Sequence, residues 1–208
     1  MVKVTAPAMS MDARGSLGGT LTFSNWKGRP YVRQLVKPSN PKSPGQVATR
    51  AMMKFLGSVW ANIAALSQAT WDTLAAADSI SAFNAYIRDN MKRWTQNDAP
   101  AQETPAAESD LAAVLTNDTA IAGVAQIEYS VEVDTLNQNW GIIVFRKNGS
   151  APTGLHTEAV AVIEALTTGA FSFVDTGLEP GTYYYKSAPF SLEGVKGALS
   201  GGANATVT

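Results

Sequence analysis

Side chains capable of acid–base or nucleophilic chemistry are few in this chain of 208 residues, and they follow no catalytic pattern. The single histidine, His156, lies in a Gly-Leu-His-Thr turn without a serine, cysteine or metal partner placed around it, so we expect a surface loop residue rather than a general base. Glu158 and Glu164 flank one strand, and Asp72 and Asp78 flank one helix. Glycosidases use a pair of acidic residues on either side of the bond that they cleave, but acids scattered in this way are typical of a solvated surface. We therefore predict no catalytic residue.

Cofactor and metal sites are also not predicted. The absence of cysteine excludes disulfides, thiolate zinc sites and thiol nucleophiles. Gly15, Gly18 and Gly19 do not follow a strand and open a helix, as the glycines of dinucleotide and phosphate loops must. The Asp and Asn positions lack the spacing of a calcium loop. We expect a protein without a cofactor.

The charges are distributed unevenly along the chain. The net charge is -1, yet residues 1–95 contain 12 Lys and Arg against 4 acids, a net of +8, and the remaining residues contain 4 against 13, a net of −9. This asymmetry indicates a basic segment that meets an acidic partner. A hydrophobic content of 45% with 16% charged residues excludes wholesale disorder. The length allows one large domain or two small ones, and we expect two.

A set of basic and aromatic residues near the N-terminus is the candidate docking site. Trp26 is the candidate anchor, because aromatic residues and Arg dominate interface hot spots. We favour docking on an acidic protein shell over a merely solvated surface, and both over nucleic acid. The set comprises Trp26, Lys27, Arg29, Tyr31, Arg33, Lys37 and Lys42.

The elements that must position these residues begin with an extended basic arm and a β-hairpin in residues 1–43. Apolar and polar residues alternate over 21–24 and 31–36, and Lys27-Gly28 is the predicted turn. Prolines at 38, 41 and 44 then favour an extended strap. A lone hairpin is marginal in water, so this one needs a partner surface.

Residues 44–95 are predicted to form a three-helix unit. Ser43 and Pro44 mark the start of the first helix, whose apolar face runs from Ala48 to Leu66, and Ser67 and Ser81 are the predicted caps of the next two. The longest apolar run is too short for the ~20 residues of a membrane span. The tryptophans expected in the core of this unit are Trp60, Trp71 and Trp94.

Residues 96–110 are predicted to be a linker, because they combine polar residues with Pro100 and Pro105. Beyond it the hydrophobic period becomes two, and short strands alternate with turn signals such as Lys147-Asn148-Gly149. This pattern predicts an antiparallel β-sandwich over residues 111–208. The overall expectation is an α+β chain of two domains.

The run from Val174 to Tyr185 resembles the end of strand E, the turn and strand F of fibronectin type III domains. The resemblance implies a tyrosine corner at Tyr184, with Leu178 closing the core and Pro180-Gly181 turning the chain. It also matches Trp140 to the buried tryptophan of such sandwiches. The expected fold is therefore immunoglobulin-like or fibronectin type III-like.

The N-terminal half resembles small virion proteins of tailed bacteriophages. The similarity rests on Gly15 to Thr20, on the stretch Asn25-Trp-Lys-Gly-Arg-Pro-Tyr-Val-Arg33, and on the Pro38-Ser-Asn-Pro-Lys-Ser-Pro44 strap before a helical segment with spaced tryptophans. Such proteins often carry immunoglobulin-like domains. Together, the two resemblances imply a structural protein of a phage particle.

The expected function is a non-enzymatic capsid decoration or cement protein, assembled in the host cytoplasm and located in the virion. Its expected partners are the major capsid protein or other virion subunits, with a homo-oligomeric or multi-copy arrangement on the particle and no membrane. The alternatives are a neck, tail or adaptor protein, and a nucleic-acid-binding protein that uses the basic half. An enzyme ranks last, because residues 1–95 are too small and too poor in paired acids for a catalytic core.

Overall fold

The structure, a computed structural model, describes residues 2–3, 14–36, 40–108, 113–135 and 139–208, with only the backbone described for residues 2, 3 and 135. The chain divides into two compact units, Met1–Pro41 and Lys42–Thr208. The described part of the first contains four short strands, and that of the second contains three α-helices and seven strands. All strand pairs are antiparallel, so the chain belongs to the mixed helix and sheet class that the sequence predicts.

The N-terminal unit is a four-stranded sheet in the order β1-β4-β3-β2. Lys27 and Gly28 both have positive φ, 51° and 75°, which is the conformation that a two-residue hairpin turn requires to match the twist of its strands. The predicted hairpin is therefore confirmed. The strands are β1 (Val2–Lys3), β2 (Gly15–Leu17), β3 (Leu21–Trp26) and β4 (Arg29–Gln34).

Three helices begin the second unit, namely α1 (Pro44–Val59), α2 (Ala65–Asp78) and α3 (Ala82–Thr95). Pro44 occupies the start of α1, and the Ser81 hydroxyl accepts a hydrogen bond of 3.2 Å from the Asn84 backbone N–H at the start of α3, as the sequence predicts. The prediction for α2 is wrong, because this helix begins at Ala65 rather than after Ser67. Leu66 consequently lies on α2, 86% exposed, and not on the apolar face of α1.

Seven strands follow in two sheets with the orders β5-β6-β9 and β11-β10-β7-β8. The sheets pack face to face over a core of aliphatic and aromatic side chains, in which the rings of Tyr129 and Tyr185 stack at 5.4 Å. The strands are β5 (Val114–Gly123), β6 (Gln126–Thr135), β7 (Asn139–Asn148), β8 (Ala159–Glu164), β9 (Gly169–Thr176), β10 (Gly181–Ser191) and β11 (Ala203–Val207).

The helices cover the opposite face of the second sheet and add a third layer. Phe55 of α1 contacts the rings of Trp140 and Phe190, with centroid distances of 5.1 and 5.5 Å and edge-to-face geometry. One core cluster therefore contains residues from the helices and from β7 and β10. Residues 42–208 form a single compact unit. The sequence predicts a boundary between a helical unit and a separate sandwich, whereas the contacts place the boundary between residues 41 and 42.

Trp140 reaches this helix-covered face through a β-bulge. Asn139 pairs with Ser191 and Gly141 pairs with Phe190, so Trp140 is an extra residue between consecutive pairs. Because a bulge re-aims the side chain of the extra residue, Trp140 packs with Phe55 rather than between the two sheets. The resemblance to fibronectin type III domains placed this residue inside the sandwich, and the structure corrects that position.

Residues 96–108, which the sequence predicts as part of a linker, are packed against the rest of the unit. The buried Asn90 side chain both donates to the Ala101 carbonyl (3.0 Å) and accepts from the Ala101 N–H (2.7 Å). The Trp71 indole N–H donates to the Gln102 carbonyl at 2.7 Å. These bonds satisfy the backbone of a segment that has no regular structure, so the segment behaves as a strap along α2 and α3.

Candidate docking surface

The hairpin brings most of the predicted docking residues onto one face of the N-terminal sheet. Directly opposed residues of an antiparallel pair point to the same face, and residues two apart on a strand do so as well. Trp26 pairs with Arg29, Ser24 with Tyr31, and Thr22 with Arg33. The side chains of Trp26, Arg29, Tyr31 and Arg33 therefore share one face, which we call the basic face.

Positive charge and exposed aromatic surface coincide on the basic face. The Lys27 ammonium lies 5.1 Å from the centre of the Trp26 ring, a cation–π distance, and Trp26 is 64% exposed. Lys27, Arg29 and Arg33 are all exposed. Residues 14–36 contain four Lys and Arg and no acid, so this surface attracts carboxylates and can supply a large aromatic contact.

The opposite face of the same sheet is mainly apolar, although two polar residues of β3 and β4 also lie on it. Leu17 pairs with Leu21, and Phe23 pairs with Val32, which places these four side chains together. Leu17 and Leu21 are exposed, and every residue from 14 to 36 is either exposed or half-buried. The N-terminal sheet therefore lacks a hydrophobic core of its own among its described residues.

Two predicted docking residues lie elsewhere. Lys42 is the first residue of the second unit, where it is exposed just ahead of α1. Lys37 lies outside the described residues. The structure therefore assembles five of the seven predicted residues into one surface, namely Trp26, Lys27, Arg29, Tyr31 and Arg33.

The tryptophans predicted to be structural lie in the second unit. Trp71, Trp94 and Trp140 are buried, and Trp60 is partly buried against Phe83 and Tyr86. Sequence reasoning did not single out Tyr86, which is fully buried and whose ring contacts those of Trp60 and Trp71. Its position eight residues before Trp94, which the sequence places in the core, was the available signal, since residues eight apart share a helix face.

The tyrosine of the turn before β10 is displaced by one residue from the expected position. Tyr183, rather than Tyr184, points into the core and donates its hydroxyl to the Glu179 carbonyl at 3.0 Å. Tyr184 lies on the other face of β10 and is half-buried. Leu178 is buried beside the turn formed by Pro180 and Gly181, as expected.

The ionisable groups that come together inside the second unit form structural contacts. Asp118 accepts hydrogen bonds from the Tyr129 hydroxyl, from Ser200 Oγ (2.7 Å) and from the Gly202 N–H (3.1 Å). Burial, followed by the bond to Asp118, raises the pKa of Tyr129 above its usual range. The network links β5 and β6 to the end of the second sheet.

A second network joins the two sheets on their inner side. Arg146 forms a salt bridge of 2.6 Å with Asp175, which also accepts a 3.0 Å hydrogen bond from the Tyr185 hydroxyl. Burial raises the pKa of Tyr185, and the charge of Asp175 adds to this effect. These groups are paired with one another, which is the ordinary state of buried charges.

His156 and Glu158 also have structural partners. The backbone N–H of His156 donates to Asn97 Oδ1 at 2.8 Å, and its ring nitrogen Nδ1 lies 2.9 Å from the same oxygen. Glu158 accepts from the Thr153 N–H at 2.7 Å and pairs with Lys147 at 3.1 Å. Burial opposes ionisation of Glu158, but these hydrogen bonds outweigh it and lower its pKa.

One groove of the second unit has a lining without ionisable side chains. An open groove of about 480 Å³ between α2 and the strap is lined by Thr70, Thr73, Leu74, Ala77, Thr104 and Pro105. None of these side chains is an acid or base near neutral pH. Among the described residues, no group of three or more His, Asp or Glu is placed to hold a metal ion, and no helix has the length and apolar character needed to cross a membrane.

Comparison with known proteins gives no family. No family model matches the chain, and no curated protein matches it. A β-1,2-glucanase from Parabacteroides distasonis aligns with 48% of the chain (TM-score 0.35, 18% identity), and a pectate lyase from Pectobacterium carotovorum aligns with 44% (TM-score 0.36, 18% identity). The chain covers only 13% and 26% of those two proteins. The sensor domain of an anti-sigma factor from Pseudobacteroides cellulosolvens is covered over 93% of its length, by 46% of this chain, at a TM-score of 0.33 and 15% identity.

Proposed function

We propose that this chain is a non-enzymatic structural protein of a bacteriophage particle, of the capsid decoration or cement type. It attaches through its basic N-terminal unit to an acidic protein surface of the particle. The observation that carries the proposal is the sheet of residues 14–36, which has a basic aromatic face, an apolar face and no buried residue. The acidic unit of residues 42–208 remains exposed on the particle and keeps it soluble.

The energetics of a small sheet favour this interpretation. Ordering each residue costs about 1–2 kcal/mol of conformational entropy, and residues 14–36 of the N-terminal sheet include no fully buried side chain to offset that cost. A partner that covers the apolar side chains Leu17, Leu21, Phe23 and Val32 supplies the missing burial. Repeated attachment of many copies then stabilises the shell without a strong individual contact.

We also propose that the two sheets of residues 113–208 are a fibronectin type III-like sandwich. In support, the first, second and fifth strands of the seven form one sheet, and the third, fourth, sixth and seventh form the other. This order matches the immunoglobulin arrangement except that the fourth strand joins the second sheet. The hydrogen bond from Tyr183 to Glu179 has the form of a tyrosine corner.

The test is co-sedimentation of the full-length chain with purified virions. The variant Arg29→Glu/Arg33→Glu reverses two exposed charges on the basic face. If each particle contact includes these cations, the affinity for virions falls at least about 30-fold, the factor that corresponds to about 2 kcal/mol for a lost charge contact. A copy number in the hundreds supports a shell location, and about a dozen copies supports a neck location instead.

The matched control is Lys54→Glu/Lys92→Glu, which makes the same change in net charge on exposed positions of α1 and α3. We expect this variant to sediment with virions like the unaltered chain. Equal occupancy of the Arg29/Arg33 variant, or absence of the unaltered chain from virions, would show that the proposal is wrong. DNA binding by residues 14–36 that weakens steeply with salt would favour the nucleic-acid alternative.

A further inference from the structure

The outer face of the sheet β5-β6-β9 is acidic. Residues alternate along β6, so Glu128, Glu132 and Asp134 point away from the core that contains Tyr129. Glu128 and Asp134 are exposed, and Glu132 is half-buried with a 2.6 Å hydrogen bond from Asn117. No Lys or Arg occurs in any of the three strands, so this face has no positive charge of its own.

The spacing of charges on this face matches that of the basic face. Arg29 and Arg33 lie four residues apart in β4, and Glu128 and Glu132 lie four residues apart in β6. Each pair therefore spans about 14 Å along a strand. When the two faces are brought together, both guanidinium groups can meet a carboxylate at the same time.

The residues between and beside the charges are also complementary. Tyr31 lies between the two arginines, whereas the small Ser130 lies between the two glutamates and pairs with Ser172 on β9, which leaves room for an aromatic ring. Ile121 and Val174 lie on either side of Glu128 in the neighbouring strands and are 65% and 47% exposed. They offer apolar surface at the level where Trp26 stands beside Arg29.

The charges of the two units as a whole agree with this match. Residues 1–41 contain six Lys and Arg and one Asp, a net of +5, and residues 42–208 contain ten Lys and Arg and sixteen acids, a net of −6. Opposite net charges steer two copies so that unlike units approach each other. Two like units repel, which disfavours contact between the basic faces of two copies.

We propose that the basic face of one copy binds the outer face of β5-β6-β9 in a second copy, so that neighbouring copies join head to tail. The inference rests on the proposed function, because it names the acidic protein surface that the basic face meets on the particle. The apolar face of the N-terminal sheet is then left for the shell subunit. Because this contact joins two different surfaces of identical chains, it is heterologous. Successive copies therefore form a closed ring or an open row.

The experiment is a charge exchange on full-length chains, followed by sedimentation velocity over a range of concentrations. We use Arg29→Glu/Arg33→Glu as one variant and Glu128→Arg/Glu132→Arg as the other. The unaltered chain should associate as concentration rises, and each variant alone should lose at least about 30-fold in affinity. An equimolar mixture of the two variants should recover association, because each then offers a surface of opposite charge to the other.

Several results would overturn the inference. A chain that stays monomeric at all concentrations, or a mixture that does not recover association, shows that these faces do not bind each other. The control Lys54→Glu/Lys92→Glu should associate like the unaltered chain. If the control also associates more weakly, the change in net charge alone explains the weaker association of the Arg29/Arg33 variant. Recovery in the mixture also shows that both variants are folded.

The two proposals can fail separately. A chain that self-associates through these faces but is missing from virions supports the head-to-tail contact and overturns the proposed function. A monomeric chain that enters virions through Arg29 and Arg33 supports the proposed function and overturns the head-to-tail contact. Virion occupancy and sedimentation of the same variants therefore decide both questions.

Discussion

Replacement of Phe55 by alanine tests whether the helices and the C-terminal sheets fold as one body. Phe55 is buried on α1 and its ring packs edge-to-face on Trp140 of β7 and Phe190 of β10. Loss of a buried phenylalanine costs about 3–5 kcal/mol, a large share of the roughly 5–15 kcal/mol that stabilises a domain. For a unit of this size, the midpoint of thermal unfolding should fall by between about 6 and 20 °C.

Two measurements on Phe55→Ala check the reasoning. Circular dichroism gives the unfolding midpoint, and peptide-resolved amide hydrogen exchange reports on each segment. We expect α1, β7 and β10 to lose protection together, since they share one core. The control is Met53→Ala on the same helix, which is 43% exposed and should change stability by no more than about 0.5 kcal/mol. If β7 and β10 keep the protection of the unaltered chain while α1 loses it, the shared-core reasoning is refuted.

Two further predictions concern the second unit. Tyr183→Phe removes the hydrogen bond to the Glu179 carbonyl and should lower the free energy of unfolding by about 1 kcal/mol, whereas Tyr184→Phe should change it little; equal effects in denaturant titrations would contradict the assignment of the turn tyrosine. The pKa of Glu158 is lower in the folded chain than its ordinary value, so its contribution to stability is present above the ordinary glutamate pKa and is lost as the pH falls through the folded value. In Glu158→Gln, the free energy of unfolding should fall less as the pH is lowered. A pH dependence identical to that of the unaltered chain would contradict a stabilising role for ionised Glu158.

Local signals in the sequence predict the elements whose ends are set by their own residues. Ser81 marks the start of α3 because its hydroxyl bonds the N–H three residues later, and Lys27-Gly28 forms the hairpin because both residues adopt positive φ. The basic face follows from the alternation of β4 once the turn is known. These features depend on residues close in sequence.

The features that sequence reasoning missed depend on partners distant in the chain. The bulge at Trp140 shows only when β7 is paired with β10, and the strap of residues 96–108 is fixed by side chains such as Asn90 and Trp71 on other elements. One signal was available. The unbroken apolar run from Trp140 to Phe145 indicates a strand buried on both faces, and hence the helices that cover it.

Because the N-terminal sheet buries little surface, protease cleavage at its exposed basic residues reports whether a copy is assembled. Segments with little buried surface open readily and are the first to be cut by proteases. Trypsin cleaves after Lys27 and Arg33, whereas Pro30 shields the bond after Arg29. A free copy would be clipped within its hairpin while residues 42–208 survive, and a copy docked through this sheet would resist, so a brief digest distinguishes assembled from unassembled protein.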